Sequence, residues 1–399
     1  MTSTYSTDIV IFGGGIAGLW LLNRFRSEGY QVILLEAKAL GSGQTVASQG
    51  IIHGGLKYAL SGSLSGAAEA IANMPARWRQ CLRGEGDVDL RGCRSLSEQY
   101  YMWSDSGFRS KLKTFLGSKS LRGRVEAVDK SAYPAFFKQA TVDGTLYQLP
   151  DFVVDTESLL TKLAHNQKDC IYRIDAGSVS FLKNNSNHIE RITLGTDNQP
   201  LHIEPQQIIF CAGEGNAALI TQADLRKARS QVRPLHMVYL KKPGLPSVFV
   251  HCIGDSFSLT PKLTVTSHVA ANGTGVWYLG GELAETGVTR NSEEQILEAT
   301  ALLAVSFPWL DLSNAQWGSF KINRAEANVS NNYRPDDALF IEEGNVMVAW
   351  PTKLSLTPSL ADMLTERLRS TSVTPMQKSN SFEISKLLSR PETATTNWN

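Results

Sequence analysis

Three consecutive glycines lie close to the N-terminus, between an apolar run and a helix-like run in the stretch IVIFGGGIAGLWLLNRF. Residues 8–12 are largely apolar and β-branched, which predicts a strand buried on both faces of a parallel sheet. Residues 19–26 then place apolar side chains at helical intervals. Between them stand Gly13, Gly15 and Gly18, whose spacing allows a tight turn, close approach of the backbone to a ligand, and close packing of helix on strand. The segment therefore predicts a strand and a helix joined by a ligand-binding turn.

A second apolar run at residues 31–35 ends in Glu36 and completes a β-α-β unit. An acidic residue at this point of the unit accepts hydrogen bonds from ribose hydroxyls, and the N-terminus of the helix offers N–H donors to a diphosphate. The glycine spacing is specific because strand, helix, strand and acid accompany it. We therefore expect a bound dinucleotide. Its diphosphate should meet four residues of the turn, namely Gly13, Gly15, Ile16 and Ala17.

The composition is that of a globular protein. The chain has 399 residues, enough for two domains, with 42% hydrophobic and 19% charged residues. A net charge of +1 argues against a nucleic-acid partner, which normally requires a clustered basic surface. The polar start MTSTYST leaves no room for a secretory signal, and no apolar run is long enough for a transmembrane segment. Five scattered cysteines without metal-ligand spacing predict a reduced, cytoplasmic protein with no structural metal.

Downstream of Glu36 the chain reads AKALGSGQTVASQGIIHGGLKYA, in which small and hydroxyl-bearing residues dominate. This segment predicts a loop along a large flat ligand. At this point the sequence resembles the FAD-dependent D-amino-acid oxidase superfamily, which includes glycine oxidase, 2-hydroxyglutarate oxidase and glycerol-3-phosphate dehydrogenase. In that superfamily the segment follows the ribityl chain and the edge of the flavin. IIHGGLKY is most similar to the hydroxyl-oxidising members, although Gly50 stands where glycerol-3-phosphate dehydrogenases often have a charged residue.

Three later stretches extend the resemblance. LPDFVVDTESLLTKLA is similar to the family's valine–aspartate turn that opens a helix, with Asp155 or Thr156 as its cap. QQIIFCAGEGNAAL is similar to a buried strand ending beside the cofactor, and NVMVAWPTKLSLTPSLADMLTERL resembles the closing strand, loop and helix that face the flavin pyrimidine. Beyond the turn that contains Gly18, the resemblance implies FAD contacts from Glu36, Ala37, Gln44, Thr45, Ser48, Gln49, Gly50, Val179, Ala212, Gly213, Lys353 and Leu354.

The implied fold is α/β, with a Rossmann-like FAD-binding domain and a second antiparallel-sheet substrate domain. Further strand-like stretches in the second half of the chain support the antiparallel sheet. We expect the FAD-binding domain to be discontinuous and to combine residues 1–60, 145–225 and 325–370. Residues 61–144 and 226–324 would form the substrate domain, and residues 371–399 a C-terminal tail.

Four side chains are candidates for chemistry on a small anionic substrate. Arg324, in KINRAEA, falls where the superfamily commonly places an arginine that binds the substrate carboxylate; a pairing with Glu326 or exposure to solvent is the alternative. Arg334 is a second candidate, although turn chemistry alone explains its segment. His53, in the flavin-edge loop, would orient the substrate, accept a hydroxyl proton or attach the flavin, unless it only packs against the backbone. Lys57 would add positive charge to the same pocket.

The leading hypothesis is an FAD-dependent oxidoreductase that removes a hydride from a carbon bearing a hydroxyl group in a small anionic substrate. One alternative is an amino-acid or secondary-amine oxidase of the same superfamily, which needs no histidine base. Another is a flavin-binding partner subunit without catalysis of its own. Oxygen, a quinone and another protein all stay open as the electron acceptor. His236, His251 and His268 lie on strand-like segments, and each is expected to be a structural or a surface histidine.

Overall fold

A computed structural model of the chain describes residues 3–55, 66–105, 125–196, 199–253, 260–329, 335, 337–376 and 384–399. The strands are β1 (Ser3–Phe12), β2 (Val32–Glu36), β3 (Ile51–Ile52), β4 (Ser95–Ser97), β5 (Tyr100–Asp105), β6 (Glu126–Ala127), β7 (Gly144–Leu149), β8 (Phe152–Val154), β9 (Ile171–Arg173), β10 (Val179–Lys183), β11 (Ile189–Leu194), β12 (Leu201–Phe210), β13 (Ser230–Lys241), β14 (Val250–Ile253), β15 (Leu263–Val269), β16 (Gly275–Gly280), β17 (Gln316–Ala327), β18 (Leu339–Glu343) and β19 (Val346–Trp350). The helices are α1 (Ile16–Ser27), α2 (Gly66–Arg83), α3 (Ala135–Lys138), α4 (Thr156–Asn166), α5 (Asn216–Gln222), α6 (Glu282–Thr286), α7 (Ser292–Ser306) and α8 (Thr357–Arg369).

The first sheet contains the predicted dinucleotide-binding unit. β1 pairs in parallel with β12 on one side and with β2 on the other, and β9 extends the sheet beyond β2. β19 joins β12 in parallel, while β10, β11 and β18 add antiparallel strands. Ile9 and Ile11 pack into one hydrophobic core, and Val10 and Phe12 into another, so β1 is buried on both faces. The sheet draws its strands from three separated parts of the chain.

The second sheet has the strand order β17-β13-β16-β15-β14-β5-β7-β6. Its neighbours run antiparallel, except that β14 and β5 are parallel. The expected α/β fold with a second, antiparallel sheet is thereby confirmed. The domain boundaries expected at residues 145 and 325 both fall inside strands of this sheet, because β7 pairs with β5 and β17 continues along β13 as far as Ala327.

Two helices begin as their sequences indicate. Asp155 caps α4, since its Oδ1 accepts a hydrogen bond from the Glu157 N–H at 3.1 Å. α7 begins after Asn291, whose side chain and that of Glu294 each bond the other's backbone N–H in a capping box. Among the described helices, none combines the length and apolar character required to cross a bilayer.

The C-terminal segment packs against the loop that follows β2 of the first sheet and against β16 of the second sheet. The Leu40 N–H donates to the Glu392 carbonyl at 2.7 Å, and the Ala394 N–H donates to the Leu40 carbonyl at 3.0 Å. The buried ring of Trp398 lies 4.8 Å from that of Tyr278 in β16. Residues 384–399 are therefore an integral part of the packed structure.

Candidate active site

A cavity of about 980 Å³ lies between the carboxyl ends of the parallel strands and the second sheet. This is where open α/β sheets bind their ligands. His53 and Arg324 line the cavity, whereas Lys57 and Arg334 lie outside the described residues. The predicted cofactor residues in its wall are Gly13, Gly15, Ile16, Ala17, Glu36, Ala37, Gln44, Thr45, Ser48, Gln49, Gly50, Val179, Ala212, Gly213, Lys353 and Leu354. Gly18 is set behind the wall, where helix and strand meet.

The glycines of the turn have different roles. A methyl group at Gly18 would lie 1.9 Å from the Gly13 carbonyl oxygen, and one at Gly13 would lie 2.5 Å from Ala212 Cα. A methyl group at Gly15 would approach just one described atom within 4 Å, Thr45 Oγ1 at 3.3 Å. Packing within the protein therefore requires glycine at positions 13 and 18. At position 15 the open space belongs to the cavity, and this cradle fits the diphosphate of a dinucleotide.

Side chains around the turn accept hydrogen bonds from its backbone. The Ile16 N–H, which we expected at the diphosphate, donates to Thr45 Oγ1 at 3.0 Å. The Glu36 carboxylate accepts from the Gly14 N–H at 2.5 Å and from the Lys38 N–H at 2.7 Å. These bonds fix Glu36 at the end of β2, in the position from which an acidic side chain reaches a ribose.

The predicted flavin-edge loop is tied to the second sheet. Gln44 Oε1 accepts from the Ala325 N–H of β17 at 2.9 Å, and Gln49 Nε2 donates to the Tyr278 carbonyl of β16 at 2.9 Å. In return, the Tyr278 hydroxyl donates to the Ala47 carbonyl at 2.6 Å. The two sides of the cavity are therefore held in register by direct hydrogen bonds.

His53 belongs to a cluster of polar side chains in the cavity wall. Its Nδ1 lies 3.3 Å from Oδ2 of the buried Asp151, whose Oδ1 accepts from the Gly54 N–H at 2.9 Å. The His53 ring stacks on that of His251, with centroids 5.9 Å apart and planes inclined by 12°. The His53 side chain is 38% exposed and lines the cavity, while the Asp151 side chain is 3% exposed. A partly accessible imidazole thus rests on a buried carboxylate.

Two rings packed near His53, those of His251 and Tyr100, are neutral at physiological pH. Burial, together with the neighbouring His53, lowers the pKa of His251 to about 3. His251 Nδ1 lies 3.0 Å from Thr264 Oγ1. Burial and the charge of Asp151 raise the pKa of the Tyr100 phenol well above its ordinary value. Side-chain ligand atoms of His53, Asp151 and His251 lie within 4.8 Å of one another; our expectation of no bound metal stays a prediction.

Arg324 faces the same cavity and is paired with an acidic residue. Its Nη1 and Nη2 each lie 3.4 Å from Glu285 Oε1, and the side chains of Arg324 and Glu285 are 16% and 35% exposed. Arg233 lies directly opposite Arg324 in the β13–β17 pair and also lines the cavity. Arg233 Nη1 approaches the buried Glu326 Oε2 at 3.5 Å. Among the described residues, the guanidinium groups of Arg324 and Arg233 therefore border the cavity, and each lies close to a carboxylate.

The closing segment runs along the cavity after β19. Residues 351–354 contribute to the wall, and a 3-10 turn, Leu354–Leu356, leads into α8. Trp78 Nε1 donates to the Ser355 carbonyl at 3.1 Å and holds this turn against α2. Lys353 and Leu354 thus lie at the cavity, and their contact with the flavin stays a prediction.

Sequence reasoning missed three residues of this site. Asp151 was part of a quoted motif but was not singled out, because the pairing of β8 with β3 that brings it to His53 has no signal in the sequence. His251 was expected to be a structural or a surface histidine; it is buried, and its ring stacks on that of His53. Glu285 lies on α6, which had no sequence signal for a functional role.

Comparisons with known proteins agree on one family. The model of the family described as FAD dependent oxidoreductase (DAO) matches residues 8–353. The probable FAD-dependent oxidoreductase PA4991 of Pseudomonas aeruginosa is 43% identical over 383 residues, which cover 94% of each chain. Its crystal structure has a TM-score of 0.85 and 38% identity, and the match covers 100% of this chain and 99% of that one.

More distant structures share the fold. Glycine oxidase from Geobacillus kaustophilus has a TM-score of 0.67 at 15% identity, covering 96% of this chain and 98% of its own. The FAD-bound L-α-glycerophosphate oxidase from Mycoplasma pneumoniae has a TM-score of 0.67 at 14% identity, covering 94% and 97%. The family match over most of the chain and the relative in Pseudomonas aeruginosa show that this protein belongs to the DAO family of FAD-dependent oxidoreductases, as an enzyme with FAD as its cofactor.

Proposed function

We propose that this enzyme oxidises a small anionic substrate by removing a hydride from a carbon that bears a hydroxyl group. The observation that carries the proposal is the position of His53, a partly exposed imidazole in the cavity wall that belongs to the predicted flavin-edge loop. Oxidation of an alcohol must release the hydroxyl proton as the hydride leaves, and a neutral imidazole is suited to accept it. Family membership indicates an enzyme and argues against a flavin-binding subunit without catalysis.

FAD supplies the acceptor for the two electrons and the hydrogen of the C–H bond. The hydroxyl proton passes to His53 Nε2, so the substrate leaves as a carbonyl compound. The protein's remaining task is to hold the reacting carbon in place and to exclude water. Apolar side chains of the second sheet, including Met102, Met237 and Ile253, form part of the cavity wall and suit this task.

The anionic group of the substrate would bind to Arg324. A buried carboxylate or phosphate needs a cationic partner, and the planar guanidinium offers two parallel donors. Arg324 is largely buried and faces the cavity, with Arg233 on the neighbouring strand. Lys57 and Arg334 remain proposed contributors of positive charge.

The proposed cofactor contacts follow the cavity wall. Gly13, Gly15 and Ala17 would meet the diphosphate, Glu36 the adenosine ribose, and residues 44–50 the ribityl chain and flavin edge. We further propose that the FAD-binding domain is assembled from three separated parts of the chain. The five cysteines are all free thiols, which supports a reducing compartment such as the cytoplasm.

A substitution of His53 tests the proposal. In the variant His53→Gln, anaerobic reduction of bound flavin by a hydroxy-acid substrate should slow by about 100-fold or more, since a general base contributes roughly 10²–10⁴. The exposed His165 provides the matched control, and His165→Gln should react like the wild type. An unchanged rate in His53→Gln would contradict the proposal that His53 accepts the hydroxyl proton.

Acid precipitation of the holoenzyme separates the two roles of His53. Flavin that remains in the protein pellet of the wild type but not of His53→Gln would show that His53 attaches the cofactor and does not accept the proton. Release of all flavin into the supernatant is the expected result.

A further inference from the structure

We propose that Asp151 is a positioning residue that fixes the tautomer of His53, with the proton on Nδ1 and the free lone pair on Nε2 facing the cavity. The inference rests on the proposed function for its kinetic consequence, but the tautomer itself is measurable in any form of the holoenzyme. The Asp151 side chain is almost completely buried, and in this proposal it acts on the substrate through the imidazole of His53.

The contacts of Asp151 indicate which ring nitrogen of His53 carries the hydrogen. Its Oδ2 lies 3.3 Å from His53 Nδ1. An ionised carboxylate accepts hydrogen bonds and donates none, so the Nδ1 of a neutral His53 must carry the hydrogen in this contact. The other carboxylate oxygen is occupied by the Gly54 N–H at 2.9 Å, which prevents the carboxylate from turning away. Since Nδ1 faces the buried acid, the exposed edge of the ring is the one with Nε2.

Asp151 is the charged group packed against His53, because the other titratable neighbours are neutral. Among the described residues, the titratable groups packed around the pair are His251 from β14 and Tyr100 from β5. His251 is buried and bonded through Nδ1 to Thr264, and the Tyr100 hydroxyl lies 3.4 Å from the Val265 carbonyl. Neither carries a charge at neutral pH. Within the described part of the chain, Asp151 is therefore the carboxylate in contact with His53.

Backbone pairing holds the acid and the histidine together. β3 leads directly into His53, and β8 directly follows Asp151. The two strands pair antiparallel, with Ile52 opposite Phe152. The relation between His53 and Asp151 is therefore built into a sheet and does not depend on a mobile loop.

The variant Asp151→Asn gives a sharp test because it preserves packing while it inverts the tautomer. The asparagine Oδ1 still accepts the Gly54 N–H, but its amide N–H₂ donates to His53 Nδ1. His53 then carries its hydrogen on Nε2 and has no lone pair for the substrate proton. We expect flavin reduction by a hydroxy acid to slow by about 100-fold or more, while the substrate dissociation constant changes less than about threefold.

Nitrogen-15 NMR of histidine-labelled holoenzyme reads the tautomer without any turnover. The chain has seven histidines, and His53→Gln identifies the signals of position 53. The wild type should show a protonated Nδ1 and an unprotonated Nε2 for His53, and Asp151→Asn should show the reverse. Asp155→Asn is the control: it lies four residues downstream, caps α4 through a side-chain oxygen that asparagine retains, and should leave both tautomer and rate unchanged.

The outcomes separate the inference from the proposed function. If no hydroxy acid reduces the flavin but the tautomers are as expected, the proposed substrate class is wrong and the role of Asp151 stands. A wild-type His53 with its hydrogen on Nε2, or an Asp151→Asn variant that reduces flavin at the wild-type rate, would overturn the inference even if hydroxy acids are substrates.

Discussion

One carboxylate oxygen of Glu285 lies 3.4 Å from both terminal nitrogens of Arg324, at the edge of the cavity. The arginine proposed to bind the substrate anion therefore faces an acidic group of the protein. Arg324 is the more buried of the two side chains, and Glu285 on the short helix α6 is the more accessible. An incoming carboxylate must compete with Glu285 for the same two donors, so Glu285 should limit the affinity for anionic substrates.

Neutralising Glu285 should tighten substrate binding. In Glu285→Gln, the dissociation constant of an anionic substrate should fall by roughly tenfold, equivalent to ~1.4 kcal/mol, because a competing like charge is removed. The concentration dependence of anaerobic flavin reduction measures this constant. Glu282→Gln, on the same helix but outside the cavity wall, is the matched control and should behave like the wild type. Weaker binding in Glu285→Gln would show that Glu285 itself contacts the substrate favourably.

Removing Arg324 should impair both binding and orientation. We expect Arg324→Ala to slow flavin reduction by about 100-fold, on the scale of a charge-assisted hydrogen bond of about 3 kcal/mol. The FAD content should stay unchanged, and Arg324→Lys should recover part of the rate because an ammonium keeps the charge but loses the two-donor geometry. Rapid-mixing kinetics and the flavin-to-protein ratio check both points. Lys321 is an exposed cation on the same strand, so Lys321→Ala is the control and should react like the wild type. A wild-type rate in Arg324→Ala would show that Arg324 does not bind the substrate.

Alanine substitutions at two glycines of the turn should have different effects, one on FAD binding and the other on folding. Gly15→Ala should leave the apoprotein folded but lower FAD affinity by at least about 100-fold, because its methyl group occupies the space proposed for the diphosphate. Gly18→Ala should instead disrupt folding, since its methyl group would overlap the Gly13 carbonyl. Circular dichroism and flavin absorbance separate the two effects. A Gly15→Ala protein that retains yellow colour at wild-type affinity would place the diphosphate elsewhere.

Burial of His268 should make stability depend on pH. Burial lowers the pKa of His268 from 6.5 to about 3, so between these values the unfolded chain binds a proton that the folded chain does not. Stability conferred by the neutral ring is complete above pH 6.5 and is lost as the pH falls toward 3. Between pH 7 and pH 4 the wild type should lose at least ~1.4 kcal/mol more than His268→Gln, the value of one pKa unit. Urea unfolding at both pH values measures the difference, and equal losses in both proteins would contradict it.

The parts of the fold that depend on neighbouring residues could be predicted from the sequence. The β-α-β unit that ends in Glu36 was predictable because two apolar runs, the glycine turn and the helical spacing all lie within one short segment. The structure has β1, α1 and β2 in that order. α7, from Ser292 to Ser306, likewise begins at a local signal, because its capping box joins Asn291 to Glu294, three residues along the chain. Membership of β7 in the second sheet was missed because its partner β5 is distant in sequence and no local pattern states which strands pair.

The site was predictable in its parts but not in its contacts. His53 and Arg324 stood out by residue type and family resemblance, yet Asp151 and Glu285 reach them through strand pairing and through α6, 98 and 39 positions away in sequence. The same reason explains the C-terminal segment, whose polar composition concealed the burial of Trp398 against Tyr278. The contacts of Asp151, Glu285 and Trp398 all depend on which distant segments pack together, and a single sequence does not specify this.

The central claim is tested most directly by anaerobic flavin reduction in the wild-type holoenzyme with matched pairs of compounds. Each pair consists of a hydroxy acid and an amino acid with the same carbon skeleton, so that the skeleton and the carboxylate are the same and the group on the reacting carbon differs. We predict that at least one hydroxy acid bleaches the flavin faster than its amino counterpart, by at least about tenfold. Bleaching by the amino acids with no response to any hydroxy acid would contradict the account.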